Sequence, residues 1–527
     1  MNNLLWTPDN GDGTFTNPVI FADYSDPEAI RVGDTYYLTA SSFNYTPGLP
    51  ILTSRDMVNW KLVNYAINNI EEERYSIPRH SEGVWAPSMR YHNGMFYIYY
   101  GMPDEGIYVV RTKDPLGEWE KPVCVLPGKG LIDSCPFWDE DGKAYIIHGY
   151  AKSRIGFKSI LGIFEMSADG LSAITEDHFV FDGNDPEHPA VTIEGPKVYK
   201  RNGYYYIFAP AGGVKTGYQV ALRSKSIYGP YEIKTVMHQG NTEINGPHQG
   251  AWIDTKSGEE WFLHFQDRGL YGRIMHLQPM KWENDWPVIG VNPDENGCGE
   301  PVITCKKPDV AVKEEITSLD ASDEFENGEY SLIWQWLGNH RDDFCGKTDG
   351  SKGIRLFALN PSGDETPTIW RSSNILTQKL VCPYFETKVR INLKGLKDGD
   401  RAGVCMMGGQ YASIFAKKTE NQFGIYYIES EGDDNNKTEK VLFEAKADLS
   451  SEVFDVKFVF DKKSSDDATP VLKVSYCLDG ESFTDAGVEY TPSDHTWVGA
   501  KIGIYALFGA SEKGGYADFE YVRTNKL

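Results

Sequence analysis

One short pattern recurs five times in the first half of this chain and limits how that half can fold. A glycine is followed three positions later by an aromatic inside a strand-like apolar run, in GDTYYLTAS, NGMFYIYYG, DGKAYIIHG, NGYYYIFAP and SGEEWFLHF. The glycines are Gly33, Gly94, Gly142, Gly203 and Gly258, and the aromatics are Tyr36, Tyr97, Tyr145, Tyr206 and Trp261. Successive glycines stand 61, 48, 61 and 55 positions apart. That period suits one propeller blade per repeat. A second element follows four of these hairpins: a Ser or Thr, a turn, then usually an aromatic. It reads SRDMVNW (54–60), TKDPLGEW (112–119) and SKSIYGPY (224–231), with MSADG (166–170) as a degenerate copy. The expected blades are 20–78, 79–130, 131–190, 191–243 and 244–300, with segments 1–19 and 284–302 closing the ring.

The expected division is a propeller over 1–302, a charged linker without aromatics over 303–316, and a second domain over 317–527. In the second domain Phe385, Thr387, Val389, Ile391 and Leu393 alternate with Glu386, Lys388, Arg390 and Asn392, and Phe454, Val456, Phe458 and Phe460 alternate likewise. Period-two alternation marks strands with one buried face. VLKVSYCLDG, KIGIYALFG and YADFEYV add further strands, so the reading is an antiparallel β-sandwich in an all-β chain without a long amphipathic helix.

Composition narrows the function. The chain of 527 residues has 52 basic and 76 acidic side chains, a net charge of −24. That argues against nucleic acid or an anionic membrane surface as partner and suits a neutral substrate. The 8 cysteines are scattered with no CxxC, which reads as free thiols in a reducing compartment. No secretory leader and no membrane-length apolar run is visible, so a cytoplasmic enzyme is expected. GxxxxGK[ST], GxSxG and HExxH are absent, which removes the common nucleotide, serine-hydrolase and zinc-protease readings. DEDG (139–142) enters a hairpin and is read as turn chemistry rather than as a calcium loop.

Carboxylates precede three of the repeat glycines: Asp133 and Glu194 by nine positions, Asp26 by seven. In a propeller the first strand of each blade lines the central channel. The strings SDPEAI, VWAPSM, IDSCPFW, IEGPKVY and NGPHQGAW therefore bring Asp26, Trp85, Asp133, Glu194 and His248 toward one axis. A proline inside each strand can turn a side chain toward the channel mouth. Three convergent carboxyls suit glycosidic cleavage by inversion. One activates water and one protonates the leaving oxygen across about 6.5–9.5 Å, and a third close to the acid keeps its pKa up. Alone, Asp26 reads as an Asp-Pro turn former and Glu194 as a surface carboxylate. Trp85 suits a sugar-stacking face or a core position between blades. His248 suits the channel floor, a substrate contact or a metal ligand. Arg268 and Arg273, in QDRGLYGR, can reach the channel or make surface ion pairs.

The chain resembles glycoside hydrolase family 43. The resemblance rests on NPVIFADYSDPEAIRVGDTYYLTASSF, SRDMVNW, VWAPSMRYHNGMFYIYY, GLIDSCPFWDEDGKAYIIHG, IEGPKVYKRNGYYYIFAPAGG, GPHQGAW and LYGRIMHLQPMKWENDWPVIG, covering residues 17–300 in order. Residues 317–527 resemble the concanavalin-like sandwich of the family's two-domain β-xylosidase-type members. The resemblance implies a five-bladed propeller and an inverting mechanism, with Asp26 as general base, Glu194 as general acid and Asp133 as the residue that raises and orients the acid. It implies that Trp85, Arg273 and His248 contact substrate, that His248 sits by a structural Ca2+ on the axis, and that Phe508 in YALFGAS closes the pocket from the sandwich. The implied activity is exo-acting release of terminal α-L-arabinofuranosyl or β-D-xylosyl units from plant cell-wall oligosaccharides, with arabinofuranosidase slightly favoured. No cofactor is required for the chemistry. The competing readings are an endo-acting arabinanase and a non-catalytic sugar-binding propeller with a lectin-like sandwich. Exposed sandwich faces suit homo-oligomerisation.

Overall fold

A computed structural model describes residues 4–312, 314–350, 352–420, 422–447, 452–509 and 514–527. Met1–Asn3 of the expected closing segment and Lys313 of the expected linker lie outside them. Five four-stranded antiparallel sheets fill the first half, one inside each expected blade. Their innermost strands are Glu28–Val32, Trp85–His92, Leu131–Trp138, Lys197–Arg201 and His248–Asp254. Each of the repeat glycines sits in the first hairpin of its blade with φ between 65° and 91°. In two blades Asn93 and Asn202, at φ 49° and 51°, precede Gly94 and Gly203. Two consecutive positive φ values make the type I′ turn whose twist matches a hairpin, which is why Asn-Gly recurs there. The aromatic three positions on is buried in every blade. The second repeated element joins the third strand of a blade to the outermost. In the first copy the Asp56 carboxylate accepts the Asn59 N–H at 2.8 Å, and Trp60 packs inward.

The ring is closed by the N-terminal segment. Ile20 pairs with Met275 in the fifth blade, the Tyr24 N–H donates to Arg273 O at 3.1 Å, and Asn17 Nδ2 reaches Leu277 O at 2.9 Å. Outside the ring Thr14–Thr16 pairs antiparallel with Thr304–Lys306, so part of the expected linker is a strand.

The second domain is two packed seven-stranded antiparallel sheets. The strand Phe385–Asn392 shows strict burial alternation, with Phe385, Thr387, Val389 and Ile391 inside. The aliphatic core of the sandwich runs continuously into that of blades one and five, so the domains share an apolar interface. Helix is confined to Lys152–Ile155 and three 3-10 turns among the described residues.

Candidate active site

The axial ends of the inner strands are irregular, and this aims the functional side chains. Pairing registers shift between Trp85 and Ser88, between Ile132 and Cys135, and between His248 and Gly250. Bulges of this kind re-aim side chains beside active sites. Asp26 and Asp133 hold φ values of 54° and 59°, a left-handed conformation that costs energy in a non-glycine residue and recurs at functional positions.

Asp26, Trp85, Asp133, Glu194 and Arg273 line one cavity of about 310 Å³. Asp26 is buried, and its carboxylate is fixed by hydroxyls and a guanidinium. Ser25 Oγ and Ser41 Oγ donate to Oδ2 at 2.9 and 2.7 Å, and Arg273 Nη1 donates to Oδ1 at 2.8 Å. A carboxylate offers about four lone-pair sites, so one on Oδ1 remains for a water.

Asp133 accepts the Gly195 N–H at 2.8 Å and Gln249 Nε2 at 3.4 Å, both on Oδ2. Gly195 has φ 57°, and a Cβ there would stand 2.6 Å from Gln249 Cγ. Only glycine allows this approach of backbone to Asp133. The space beside Gly149 is bordered by Asp133 Oδ2 and the Glu194 Cα, 3.7 and 3.9 Å from where a Cβ would lie, so the two acidic residues are neighbours. Burial, then the charges of Glu194 and Asp26, push the Asp133 carboxyl up to about 8.

Glu194 is the more open of the two, its side chain 29% exposed to the cavity. Its Oε1 lies 2.9 Å from His248 Nε2. Burial would push its carboxyl up, but the His248 hydrogen bond and charge, then Arg273 and Lys158, outweigh burial and hold it below the usual glutamate range. The sequence led to a raised value on Glu194; here the upward push falls on Asp133 and the downward one on Glu194. Burial and the neighbouring negative charges thus favour a neutral Asp133, while the His248 hydrogen bond favours an ionised Glu194.

Two residues expected at the cavity lie outside its lining. His248 is fully buried, does not line the cavity, and meets it only through its hydrogen bond to Glu194. Phe508 packs against the main core and donates its N–H to Leu359 O at 3.2 Å, away from the cavity. The sandwich reaches the cavity through Trp497 instead, whose ring meets Trp85 edge-on at 4.6 Å. Its loop is pinned to the propeller on both sides. Ser81 Oγ donates to Thr496 O at 2.6 Å, and the Gly499 N–H donates to Asp23 Oδ2 at 2.9 Å. Arg268 stays outside the cavity lining.

Sequence reading also missed Phe43, Tyr150, Lys158 and Gln249 in the lining. Gln249 follows the singled-out His248 directly and was within reach of the same argument. Trp497 lies in a different domain and carries no repeat signal. The arrangement can hold a water against one carboxylate and a proton between two others, across one hollow with an indole wall.

The family model described as Glycosyl hydrolases family 43 matches residues 15–287, and the Beta xylosidase C-terminal Concanavalin A-like domain matches 322–525. A putative beta-xylosidase of Xylanibacter ruminicola is 37% identical over 505 residues, 95% of this chain and 88% of that protein. A non-reducing end alpha-L-arabinofuranosidase of Bacteroides ovatus is 30% identical across 67% of each chain. The solved structure of a bifunctional GH43-CE protein of Bacteroides eggerthii superposes with a TM-score of 0.81 at 28% identity, over 97% of this chain and 64% of that longer one. By sequence and fold, this chain belongs to glycosyl hydrolase family 43.

Proposed function

We propose that this glycoside hydrolase removes single β-D-xylosyl or α-L-arabinofuranosyl units from the non-reducing ends of hemicellulose oligosaccharides. The observation that carries the exo reading is the Trp85–Trp497 contact. An aromatic from each domain walls one side of a cavity of about 310 Å³, which suits a terminal sugar better than a chain passing through. The names of the relatives, a putative beta-xylosidase and an alpha-L-arabinofuranosidase, support the pentose class.

In this reading Asp26 takes a proton from the attacking water as the water adds to the anomeric carbon. Arg273 and the two serine hydroxyls hold the Asp26 carboxylate in plane. Glu194 gives its proton to the glycosidic oxygen as that bond breaks, and the anomeric configuration inverts. Asp133 stores the proton in the free enzyme. A bound sugar displaces water from the exposed side of Glu194, which penalises its charge, and the shared proton moves onto Glu194, where the leaving oxygen needs it.

Calcium on the axis remains part of the proposal through one atom. His248 Nδ1 is buried and has no hydrogen-bond partner among the described residues. No cluster of three His, Cys, Asp or Glu side chains gathers there among those residues, so one imidazole would hold an ion whose other ligands are oxygens of water. Bound there, it would add a fixed positive charge behind Glu194. Self-association is supported by Val441 and Leu442, both exposed on the strand Thr438–Ala447, and sedimentation would test it.

The function is tested by digesting xylohexaose and arabino-oligosaccharides and following products by chromatography and proton NMR. The expected result is monosaccharide from the first time point, released as the inverted anomer. A rapid fall in polymer viscosity with little free pentose would establish an endo-acting enzyme instead.

A further inference from the structure

Asp23 is buried and stands outside the catalytic cavity, three positions before Asp26. Its carboxylate accepts two backbone N–H groups that come from different domains. Oδ1 takes the Arg273 N–H at 3.0 Å, in the fifth blade, and Oδ2 takes the Gly499 N–H at 2.9 Å, in the sandwich. Arg273 is the residue whose guanidinium fixes Asp26 Oδ1 at 2.8 Å. Gly499 lies two positions beyond Trp497, whose indole walls the cavity. One side chain therefore bonds both to the backbone that carries Arg273 and to the backbone that carries Trp497.

These backbones are packed without slack. A Cβ on Gly272 would stand 2.3 Å from Asp23 Cγ, and a Cβ on Gly499 would stand 2.6 Å from Gly272 N. Gly272 has φ 71°, a conformation that glycine takes without strain. Both glycines let the sandwich backbone lie directly on the fifth blade, with the Asp23 carboxylate between them. Neighbouring groups repeat the pattern: the Ala500 N–H donates to Leu270 O at 2.7 Å, and the Tyr24 N–H donates to Arg273 O at 3.1 Å. Just before this anchor the sandwich chain makes a tight turn. The His495 N–H donates to Val498 O at 2.9 Å and the Val498 N–H returns to His495 O at 3.1 Å, with Trp497 in the turn between them.

The junction needs a carboxylate in its charged form. Burial pushes the Asp23 carboxyl up, but the charges of Lys501 and Lys379, then the two backbone N–H groups, outweigh burial and hold it below the usual aspartate range. Lys501 Nζ, itself buried, lies 3.6 Å from Oδ2. A carboxylate accepts one N–H on each oxygen, whereas an amide has a single acceptor oxygen and would turn its NH2 donor toward the other N–H. A carboxylate that served only to glue two domains could meet any two backbone groups. This one meets the residue that orients Asp26 and the loop of the one sandwich residue among the described cavity lining.

We infer that Asp23 is a positioning residue for the hydrolysis: it sets the Arg273 guanidinium and the Trp497 indole together, so that docking of the sandwich fixes the water-activating side of the site as well as its wall. The inference rests on the reading of Asp26 as the base and of the cavity as a pocket for a terminal pentose.

The test is a pair of double-mutant cycles in the full chain, on an aryl β-D-xyloside or α-L-arabinofuranoside. Asp23→Asn keeps the shape and loses one of the two acceptors. It should raise KM about threefold and lower kcat about tenfold. Effects that act through a shared residue do not add. In the Trp497→Ala background, Asp23→Asn should therefore leave KM within about twofold, and in the Arg273→Lys background it should leave kcat within about twofold. A residue that only held the fold together would lower the melting temperature and leave KM where it was. Unchanged KM and kcat in Asp23→Asn, or full additivity in either cycle, would overturn the role. Where Asp23→Asn misfolds, Asp23→Asn with Lys501→Met removes the buried cation along with its partner and is compared with Lys501→Met alone. Fluorine NMR of the 5-fluorotryptophan-labelled protein gives a measure independent of turnover. The resonance lost in Trp497→Phe should shift in Asp23→Asn, and an unmoved resonance would overturn the role. A shifted resonance in an enzyme that hydrolyses neither aryl pentoside would keep the hold of Asp23 on Trp497 and count against the exo-pentosidase reading instead.

Discussion

Arg273 and Asp26, 247 positions apart, meet at 2.8 Å between Nη1 and Oδ1, both almost wholly buried. The pair joins the fifth blade to the segment entering the first, so the contact that orients the Asp26 carboxylate also helps to close the ring. The same Nη1 donates to Ser25 Oγ at 2.6 Å. Removing one partner of a buried ion pair leaves the other uncompensated, at a cost of about 3–5 kcal/mol. Arg273→Ala is therefore expected to lower the melting temperature and kcat/KM together. Arg273→Lys keeps the charge but lacks the planar fork, so it should recover most of the melting temperature and little of the activity. Thermal melts beside aryl xyloside kinetics check this, and full activity in Arg273→Lys would reject the positioning role.

The acid and base are separable by leaving group. A dinitrophenolate departs without protonation, whereas a sugar hydroxyl needs a proton as it leaves. Glu194→Gln should thus retain much of its rate on a dinitrophenyl pentoside and lose about 10²–10⁴-fold on xylobiose. Asp26→Asn should lose activity on both, because water must be activated in each case. Equal losses on both substrates in Glu194→Gln would remove Glu194 from the acid role.

How far the site was legible follows the same division. Asp26, Asp133 and Glu194 stand seven, nine and nine positions before a repeated turn, so a radial fold brings them together, and the strand pattern fixes that fold. His248 shares the periodicity, but its place behind Glu194 rather than beside the sugar depends on the bulge between His248 and Gly250, which no pattern announces. Trp497 was hidden because its placement comes from docking one domain on the other. Ser81 and Asp23 hold its loop from positions more than 400 residues away. Phe508 was chosen through likeness to related two-domain enzymes, and it lies just past the strand Lys501–Leu507, at the end remote from that loop.

The proton on Asp133 makes both activity and stability pH-dependent. Its carboxyl lies near 8 in the fold against an ordinary aspartate value when unfolded. Between those values the folded state holds a proton that the unfolded state has released, so stability falls as pH rises through that window and levels off above about 8. Asp133→Asn carries no such charge. Its melting temperature should gain on that of the wild type steadily from pH 4 to pH 8, and a constant difference would reject the raised value. In kinetics, kcat/KM of the wild type should decline as the pair loses its shared proton near pH 8.

Trp497 is the one sandwich residue among the described residues that line the cavity. Its indole stands edge-on to Trp85 at 4.6 Å, and its backbone is held at φ 67°, a conformation that persists in a non-glycine residue only where the surroundings enforce it. The contact supplies apolar wall rather than protons or charge. Trp497→Ala should therefore raise KM for a terminal pentose by about tenfold, corresponding to roughly 1.4 kcal/mol of lost binding, with kcat changed much less. Opening that wall also removes the barrier to a continuing chain, so the ratio of activity on xylohexaose to activity on an aryl xyloside should rise. A fall in kcat with KM unchanged would place Trp497 in the chemistry rather than in the wall, and would require the sandwich to contribute to the transition state itself.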